Sequence, residues 1–340
     1  MAGPKKQGQT VTFQYPPVII ATATAVGAKE GRGPLGNTFD KVIEDPYHGE
    51  KTWEKAERRY LEDAVNKVLA KASLKPDEVD FFLAGDLCNQ ITASGFTARQ
   101  LGIPFLGLYG ACSSFFEGLA LGAMIVDGGF ADRVLVATSS HCCTAERQFR
   151  FPTEQGVQRP MTAQWTVTGA GAAILARPGT GGSGPVITHA TVGRVIDLGI
   201  GDPSDFGSAM APAAADTIIS HLRDTARGGA AFDMVVTGDL GHHGRGIAAK
   251  ILQDHGYDLG GKLEDCGILI YDQAKQDTHA GGSGCACSAA VFCGHLMQQL
   301  QQKRINRLLG VGTGALLSAI TAKQGETIPA IGHGVVVQAG

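Results

Sequence analysis

The chain has few aromatic side chains, no block of like charge and no long unbroken apolar run, and each shortage argues against a class of protein. Lys plus Arg number 29 against 32 Asp plus Glu, and no four like charges adjoin. Nucleic-acid binders present a basic face, and polybasic membrane patches need clustered cations. The expectation is therefore no nucleic-acid partner. The longest uncharged stretches, 101–116 and 160–176, are broken by Gly, Pro, Ser, Thr or Gln, so neither reads as a spanning helix. The first ten residues lack the apolar core of a signal peptide. With no transmembrane segment expected, any membrane association should go through a protein partner. No Cys-x2-Cys pair occurs among the eight cysteines, which argues for reduced thiols. Cys285, Cys287, Cys293 and His295 are ligand types lying close together, but their spacing is wrong for zinc, and no metal is expected.

What the chain does have is glycine, 48 residues of it, scattered between apolar runs. That suits tight turns and close helix–sheet contacts. At 340 residues there is enough chain for two domain-sized halves. Pro17–Thr24 is a β-branched strand signal, and Trp53–Ser73 is an amphipathic helix with Tyr60, Leu61, Ala64, Val65, Val68 and Leu69 in one stripe. Asp80–Asp86, Pro104–Leu108 and Arg133–Ser140 read as strands, and Ala93–Leu101 as a helix. A polar loop, 141–164, precedes Val167–Arg177, which reads as a strand pair with a glycine turn.

The second half replays this order. Pro185-Val-Ile-Thr-His-Ala-Thr191 matches the first strand, and Asp233–Leu240 matches Asp80–Leu87. Cys285-Ala-Cys-Ser-Ala289 opens an apolar helix, as Gly110-Ala-Cys-Ser-Ser114 does, and Arg307–Thr313 matches Arg133–Thr138. Two halves, 1–178 and 179–340, follow, with Gly179–Gly184 as the seam. Strands alternating with helices imply mixed, mainly parallel sheets covered on both faces. The apolar helices opening at Cys112 and Cys287 would lie between the sheets, giving a duplicated α/β/α/β/α five-layer fold.

Cys112 is the residue this frame surrounds. Apolar residues recur at Phe115, Leu119, Gly122 and Ile125 at helical spacing, which sets Cys112 in the first turn of a buried helix. Free N–H groups and the helix dipole there favour a thiolate or a bound anion, with Ser113 and Ser114 as capping residues. The plain alternative is a small core cysteine at a crowded bend.

These features resemble the thiolase-like superfamily: a duplicated half, a cysteine opening a central helix, and Thr168-Gly-Ala-Gly-Ala-Ala-Ile-Leu175 closing the first half. More closely, the chain resembles a sporulation family of spore-forming bacteria, nearly end to end. The segments carrying this are Phe82–Gln90, Gly107–Ser114, Thr162–Gly171, Met210–Asp216, Val236–His242 and Ala280–Gly284. The resemblance implies a non-enzymatic protein that binds dipicolinic acid (pyridine-2,6-dicarboxylate). It also implies work with membrane proteins of the same sporulation channel, which carry that acid into the developing spore. The implied place is peripheral at the inner spore membrane, through those partners.

Two uses of the crevice follow. An acyltransferase needs a thiolate, a base and donors for the thioester oxygen. Cys112 supplies the first, and His242 occupies roughly the family position of a catalytic histidine. Where those enzymes carry Gly-His-Pro or Gly-Asn, this chain reads Gly281-Gly-Ser-Gly284, so the triad is incomplete. Coenzyme A enters only in that alternative. A binding protein for a flat aromatic dianion needs cations or N–H donors and an apolar slot. Arg147, Arg150 and Arg159 are candidate carboxylate partners, and Phe149 and Phe151 candidate stacking rings. Cys112, Ser113, Ser140, His141, Asp86, His242 and Ser283 complete the expected ligand set, with Thr162, Gln164 and Trp165 as further wall. Asp86 and its repeat mate Asp239 read as strand-end turn acceptors. No resident cofactor is expected, although calcium can accompany the ligand. A homodimer is expected, with the Thr138–Cys143 edge as a candidate interface.

Overall fold

The computed structural model describes residues 5–89, 91–149 and 158–340. Ten strands carry the fold. The first half holds β1 (Val18–Gly27), β2 (Phe81–Asp86), β3 (Phe105–Gly107), β4 (Arg133–Ser140) and β5 (Gly169–Ala176). The second holds β6 (Val186–Thr191), β7 (Met234–Thr237), β8 (Leu263–Asp265), β9 (Arg307–Ala315) and β10 (Ala330–Gln338). The first five run side by side as β3-β2-β4-β5-β1, and the second five repeat that order as β8-β7-β9-β10-β6. In each set the first three neighbours pair in parallel, while the fifth strand in sequence runs antiparallel to both its neighbours. Identical strand order is the physical signature of the duplication. The two sets join edge to edge at the antiparallel pair Val18 with Val186, and the short strand Thr10–Thr12 adds three more antiparallel pairs to β6.

The helices fill three layers. Helix α1 (Trp53–Ala72) and α2 (Thr92–Leu101) cover the outer face of the first sheet, and α4 (Phe206–Asp224) and α5 (Gly241–Asp254) the outer face of the second. Between the sheets lie α3 (Ser114–Asp127) and α6 (Cys285–Val291), the latter continuing through a π turn, Phe292–Leu296. Helix α1 starts where the Thr52 hydroxyl accepts from Lys55 N–H, and stops at Ser73, whose φ of 55° the helix cannot continue. Its stripe, Tyr60 to Leu69, is buried as the spacing requires. Each such side chain contributes about 1.5–3 kcal/mol on full burial. No helix among the described residues is long and apolar enough to cross a membrane.

Two expectations need correction. Residues 169–176 form one continuous strand, not a pair around a turn. Gly171 is there because the backbone of α6 lies against it: an added Cβ would sit 2.5 Å from the Ala289 carbonyl. Second, β4 is no open edge. It is hydrogen-bonded to β2 on one side and β5 on the other, and Thr138 to Cys142 are buried. The open edge of the first sheet is β3.

Candidate functional site

Cys112 sits in a single 3-10 turn, Ala111–Ser113, that feeds α3. Ala111 has φ 50°, a left-handed conformation that costs a residue with a Cβ roughly 1 kcal/mol. Its carbonyl is held from both halves: the Ser114 hydroxyl donates at 2.7 Å and the Cys285 thiol at 3.0 Å. The starts of both central helices therefore meet at one point. The Ser113 hydroxyl donates to Gly110 O at 2.6 Å, so it braces the turn and caps nothing.

Behind Cys112 stands a carboxylate. Its Sγ lies 3.9 Å from Ser283 Oγ, and Ser283 Oγ donates to Asp239 Oδ2 at 2.7 Å. Asp239 also accepts from Gly284 N–H at 3.0 Å and from Thr313 Oγ1 at 2.6 Å. Burial raises the Asp239 pKa, and those hydrogen bonds oppose the rise. Burial pushes the Cys112 thiol well above its ordinary range, and the Asp239 charge pushes it further. A helix start is worth about 0.3–1 kcal/mol to an anion, up to ~2 in favourable geometry. Full burial shifts a group by up to ~3–5 pKa units, and each unit is about 1.4 kcal/mol. Burial wins, and the thiolate expected from the helix start gives way to a protonated thiol.

The cavity at Cys112 is small and apolar. It measures about 50 Å³ and is lined by Leu87, Phe149, Phe206, Met210 and Leu317 beside Cys112 and Ser283. No cationic side chain among the described residues lines it. Among the described residues no charged side chain there offsets a dianion's lost hydration.

The remaining expected residues scatter. His242 is exposed in the first turn of α5 and does not line the cavity. Ser140 is buried and ties the halves together, donating to Val167 O at 2.7 Å and accepting from Ala286 N–H at 3.0 Å. Asp86 accepts from Ser94 N–H and Oγ, both at 2.7 Å, and from Cys88 N–H, which makes it a cap for α2. Thr162 Oγ1 donates to Ser204 O at 3.3 Å, away from both cavities. Arg150 and Phe151 lie outside the described residues.

His141, Arg147 and Trp165 line a different and much larger pocket of about 530 Å³. It opens between the end of β1, the start of α1 and the short helix Cys142–Phe149. The His141 ring is fully engaged: Nε2 lies 2.9 Å from Pro46 O, and Nδ1 accepts from Cys143 N–H at 3.1 Å. Burial lowers its pKa, which agrees with a neutral ring. Arg147 pairs with Glu54, and its guanidinium stands 5.5 Å from the Trp53 ring centre. Lys29 Nζ stands 3.5 Å over Trp165, and Arg159 flanks the same ring at 5.0 Å while pairing with Asp277. Sequence reasoning missed Lys29 and Trp53 here, and read Tyr60 as core stripe only. No local signal marks them, because they come from a glycine-rich loop and a helix that meet only in the fold.

A third cluster was also unforeseen. Glu57, fully buried, accepts from Thr144 Oγ1 at 2.7 Å, Cys88 Sγ at 3.1 Å and Ser139 Oγ at 3.3 Å. Burial first, and then the neighbouring Asp86, raise its pKa to about 8.

Known proteins resemble the whole chain. Residues 7–338 match the family of Stage V sporulation protein AD. The Stage V sporulation protein AD of Bacillus subtilis is 51% identical over 331 residues, covering 97% of this chain and 96% of that protein. A variant of OleA from Xanthomonas campestris superposes with a TM-score of 0.62 at 15% identity, over 98% of this chain and 100% of that one. The 3-oxoacyl-(acyl carrier protein) synthase III of Xanthomonas oryzae gives 0.60 at 15%, over 96% and 99%. Human mitochondrial 3-ketoacyl-CoA thiolase gives 0.59 at 13%, over 97% and 99%. At such identities these enzymes speak for the fold alone. Built on a thiolase-like fold and matched almost end to end, the chain belongs to the stage V sporulation protein AD family.

Proposed function

We propose that this chain is a non-condensing member of its family that binds dipicolinate without transforming it. In this reading it supports uptake of the acid into the developing spore with membrane proteins of the same channel, and it sits peripherally at the inner spore membrane. Calcium, where it enters, travels as cargo with the acid. The observation that carries the reading is the group behind Cys112. A condensing enzyme needs a base that draws the proton off the thiol. Here burial first, and then the Asp239 carboxylate, hold it on. Isothermal titration calorimetry with dipicolinate tests the proposal. Saturable heat with one site per chain is expected, and no heat at high ligand rejects it.

Active acyl transfer is the second reading, favoured by Cys112 standing at the start of a central helix in a thiolase-like fold. It predicts a covalent acyl adduct at Cys112 after incubation with acetyl- or malonyl-coenzyme A. Intact mass spectrometry separates the two readings, and we expect unmodified protein.

We also propose a homodimer through the open edge of β3. Leu106 is 42% exposed and nearby Tyr109 69% exposed, beside strand groups with no partner on the outer side among the described residues. Sedimentation velocity is expected to give twice the chain mass; a monomer at micromolar concentration removes this part of the proposal.

A further inference from the structure

A separate basic hollow lies on the outer face of the second sheet and shares no lining residue with the two cavities described above. Lys5, Thr12 and His189 stand in one row across three antiparallel strands, because Lys5 pairs with Thr12 and Thr12 with His189. Side chains of one row share a face. The His189 ring meets His221 of α4 edge to face at 5.8 Å, which makes this the α4 side of the sheet. Past the end of α4, Ala226 at φ 51° turns the chain, and Arg227 N–H closes that turn on Leu222 O at 2.9 Å. The turn brings Arg227 beside the row. The hollow between them measures about 270 Å³, near the lower end, roughly 300 Å³, of small-molecule sites. No apolar side chain lines it.

The cations here lack acids. Arg227 and Lys5 have no side-chain hydrogen bond and no carboxylate partner among the described residues. Arg307, at the start of β9, gives one N–H to the Gln338 side chain at 3.2 Å, and its buried Nε has no partner. Burial first, and then Arg227 and Arg307, lower the pKa of His189 to about 4. Burial, and then Arg227, lower that of Arg307. Two acids stand near, and both are engaged. Asp224 lines the hollow but accepts from Gln9 N–H at 2.8 Å, from Thr10 Oγ1 at 3.2 Å and from Arg223, whose charge offsets its own. Asp233 Oδ2 accepts from the Asn306 and Arg307 N–H groups at 2.7 and 3.0 Å. The last carbonyls of α4 accept from the N–H groups of Thr225, Ala226 and Arg227. Like charges held together without a counter-charge raise the free energy, and a bound anion relieves it.

We propose that this hollow binds the phosphoryl group of a small phosphate ester, with Arg227 and Lys5 on the phosphoryl oxygens, the Thr12 hydroxyl as a further donor and Arg307 behind as a longer-range charge. A guanidinium fork beside an ammonium matches tetrahedral oxygens. No run of basic residues announces the site, because its cations come from three separate segments that only the fold joins.

Full-length protein is titrated calorimetrically with glycerol 3-phosphate at constant ionic strength. Saturable heat with one site per chain is expected. Arg227→Gln should weaken binding about tenfold, and Arg307→Gln about threefold. Arg227 sits in a surface turn, so its variant is the one that keeps the fold, and an unchanged melting curve certifies it. Lys67→Gln removes an equal charge from the exposed side of α1 and should bind like the parent. No heat at millimolar ester overturns the proposal. So does parent-like binding by Arg227→Gln, or equal weakening by all three variants, which would report net charge alone. Vesicles of phosphatidylglycerol, set against phosphatidylcholine, separate the sources of the ester. Binding to the former that glycerol 3-phosphate reverses supports the site with a lipid headgroup as its ligand. Binding of the soluble ester without vesicle binding supports it with a free phosphate ester.

Discussion

Each half of the molecule ends a central strand in Gly-Asp and sets a thiol near the carboxylate, yet the two arrangements serve different ends. In the first half Asp86 turns back on its own unit. It caps α2 through Ser94, and its neighbour Glu57 accepts from Cys88, Ser139 and Thr144 of the same half. In the second half Asp239 faces outward across the duplication. It holds Ser283 and Gly284, and through Ser283 it stands behind Cys112 of the other half. Duplication therefore fixes where the carboxylate stands, because strand order and register repeat. What the carboxylate does depends on which side chains the neighbouring loops bring to it. At both carboxylates the outcome for sulfur is the same. Burial first, and then acidic neighbours, hold Cys88 and Cys112 as thiols.

The largest consequence of this arrangement is a pH dependence rooted in the first half. Glu57 has an ordinary value of 4.5 and is raised to about 8 when folded. Between those values the unfolded chain has released this proton and the folded chain keeps it. The folded state thus binds more protons, and stability falls as pH rises, at roughly 1 kcal/mol per pH unit for this group. The contribution is whole below the ordinary value and is lost by about pH 8. Asp265, raised to about 6, adds to the same trend over a narrower window. Glu57→Gln removes the titration while keeping an oxygen acceptor. Urea unfolding from pH 5 to 8 should show a shallower fall in the variant, which should be about 2–4 kcal/mol more stable than the parent at pH 8. Parallel curves for the two proteins would mean that Glu57 is ionised in the fold, and the comparison of halves would lose its first member.

Much of the scaffold was legible because its causes are local. The stripe of α1, the β-branched run of β1 and the repeated Gly-Asp strand ends are written in short windows of sequence. Failures occur where the cause is distant. Gly169 and Gly171 read as a turn, but glycine is required at 171 because the backbone of α6 approaches from the other half. His242 suits a catalytic place by family position. It ends on the surface because Gly241, at φ 65°, starts α5 in a turn that Asp265 holds through the Leu240 and Gly241 N–H groups. Cys112 was placed correctly at a helix start, but its protonation is set by Asp239 and by depth, neither visible in the turn itself. The Lys29, Trp53 and Tyr60 pocket comes from three separate segments, none of which carries a motif.

The smallest effect tests the second member of the pair. Burial is the leading cause of the raised Cys112 value and the Asp239 charge the next. Asp239→Asn removes that charge while keeping an oxygen for Gly284 N–H and Thr313. Less charge beside the sulfur lowers the thiol pKa, so a larger fraction is thiolate at neutral pH, and thiolate is the form that alkylates. Because burial remains, the gain is modest: about two- to fivefold in the rate of Cys112 alkylation by iodoacetamide, read by peptide mass spectrometry. Cys88 serves as the internal reference, since it lies beside Glu57 and Asp86 and should not respond. Equal acceleration at both cysteines would report loosened packing and not a local charge. An unchanged Cys112 rate would mean that Asp239 is already neutral in the fold. Cys112 would then be held as a thiol by depth alone, while Cys88 keeps the added push of Glu57 and Asp86, and charge would separate the two carboxylate sites.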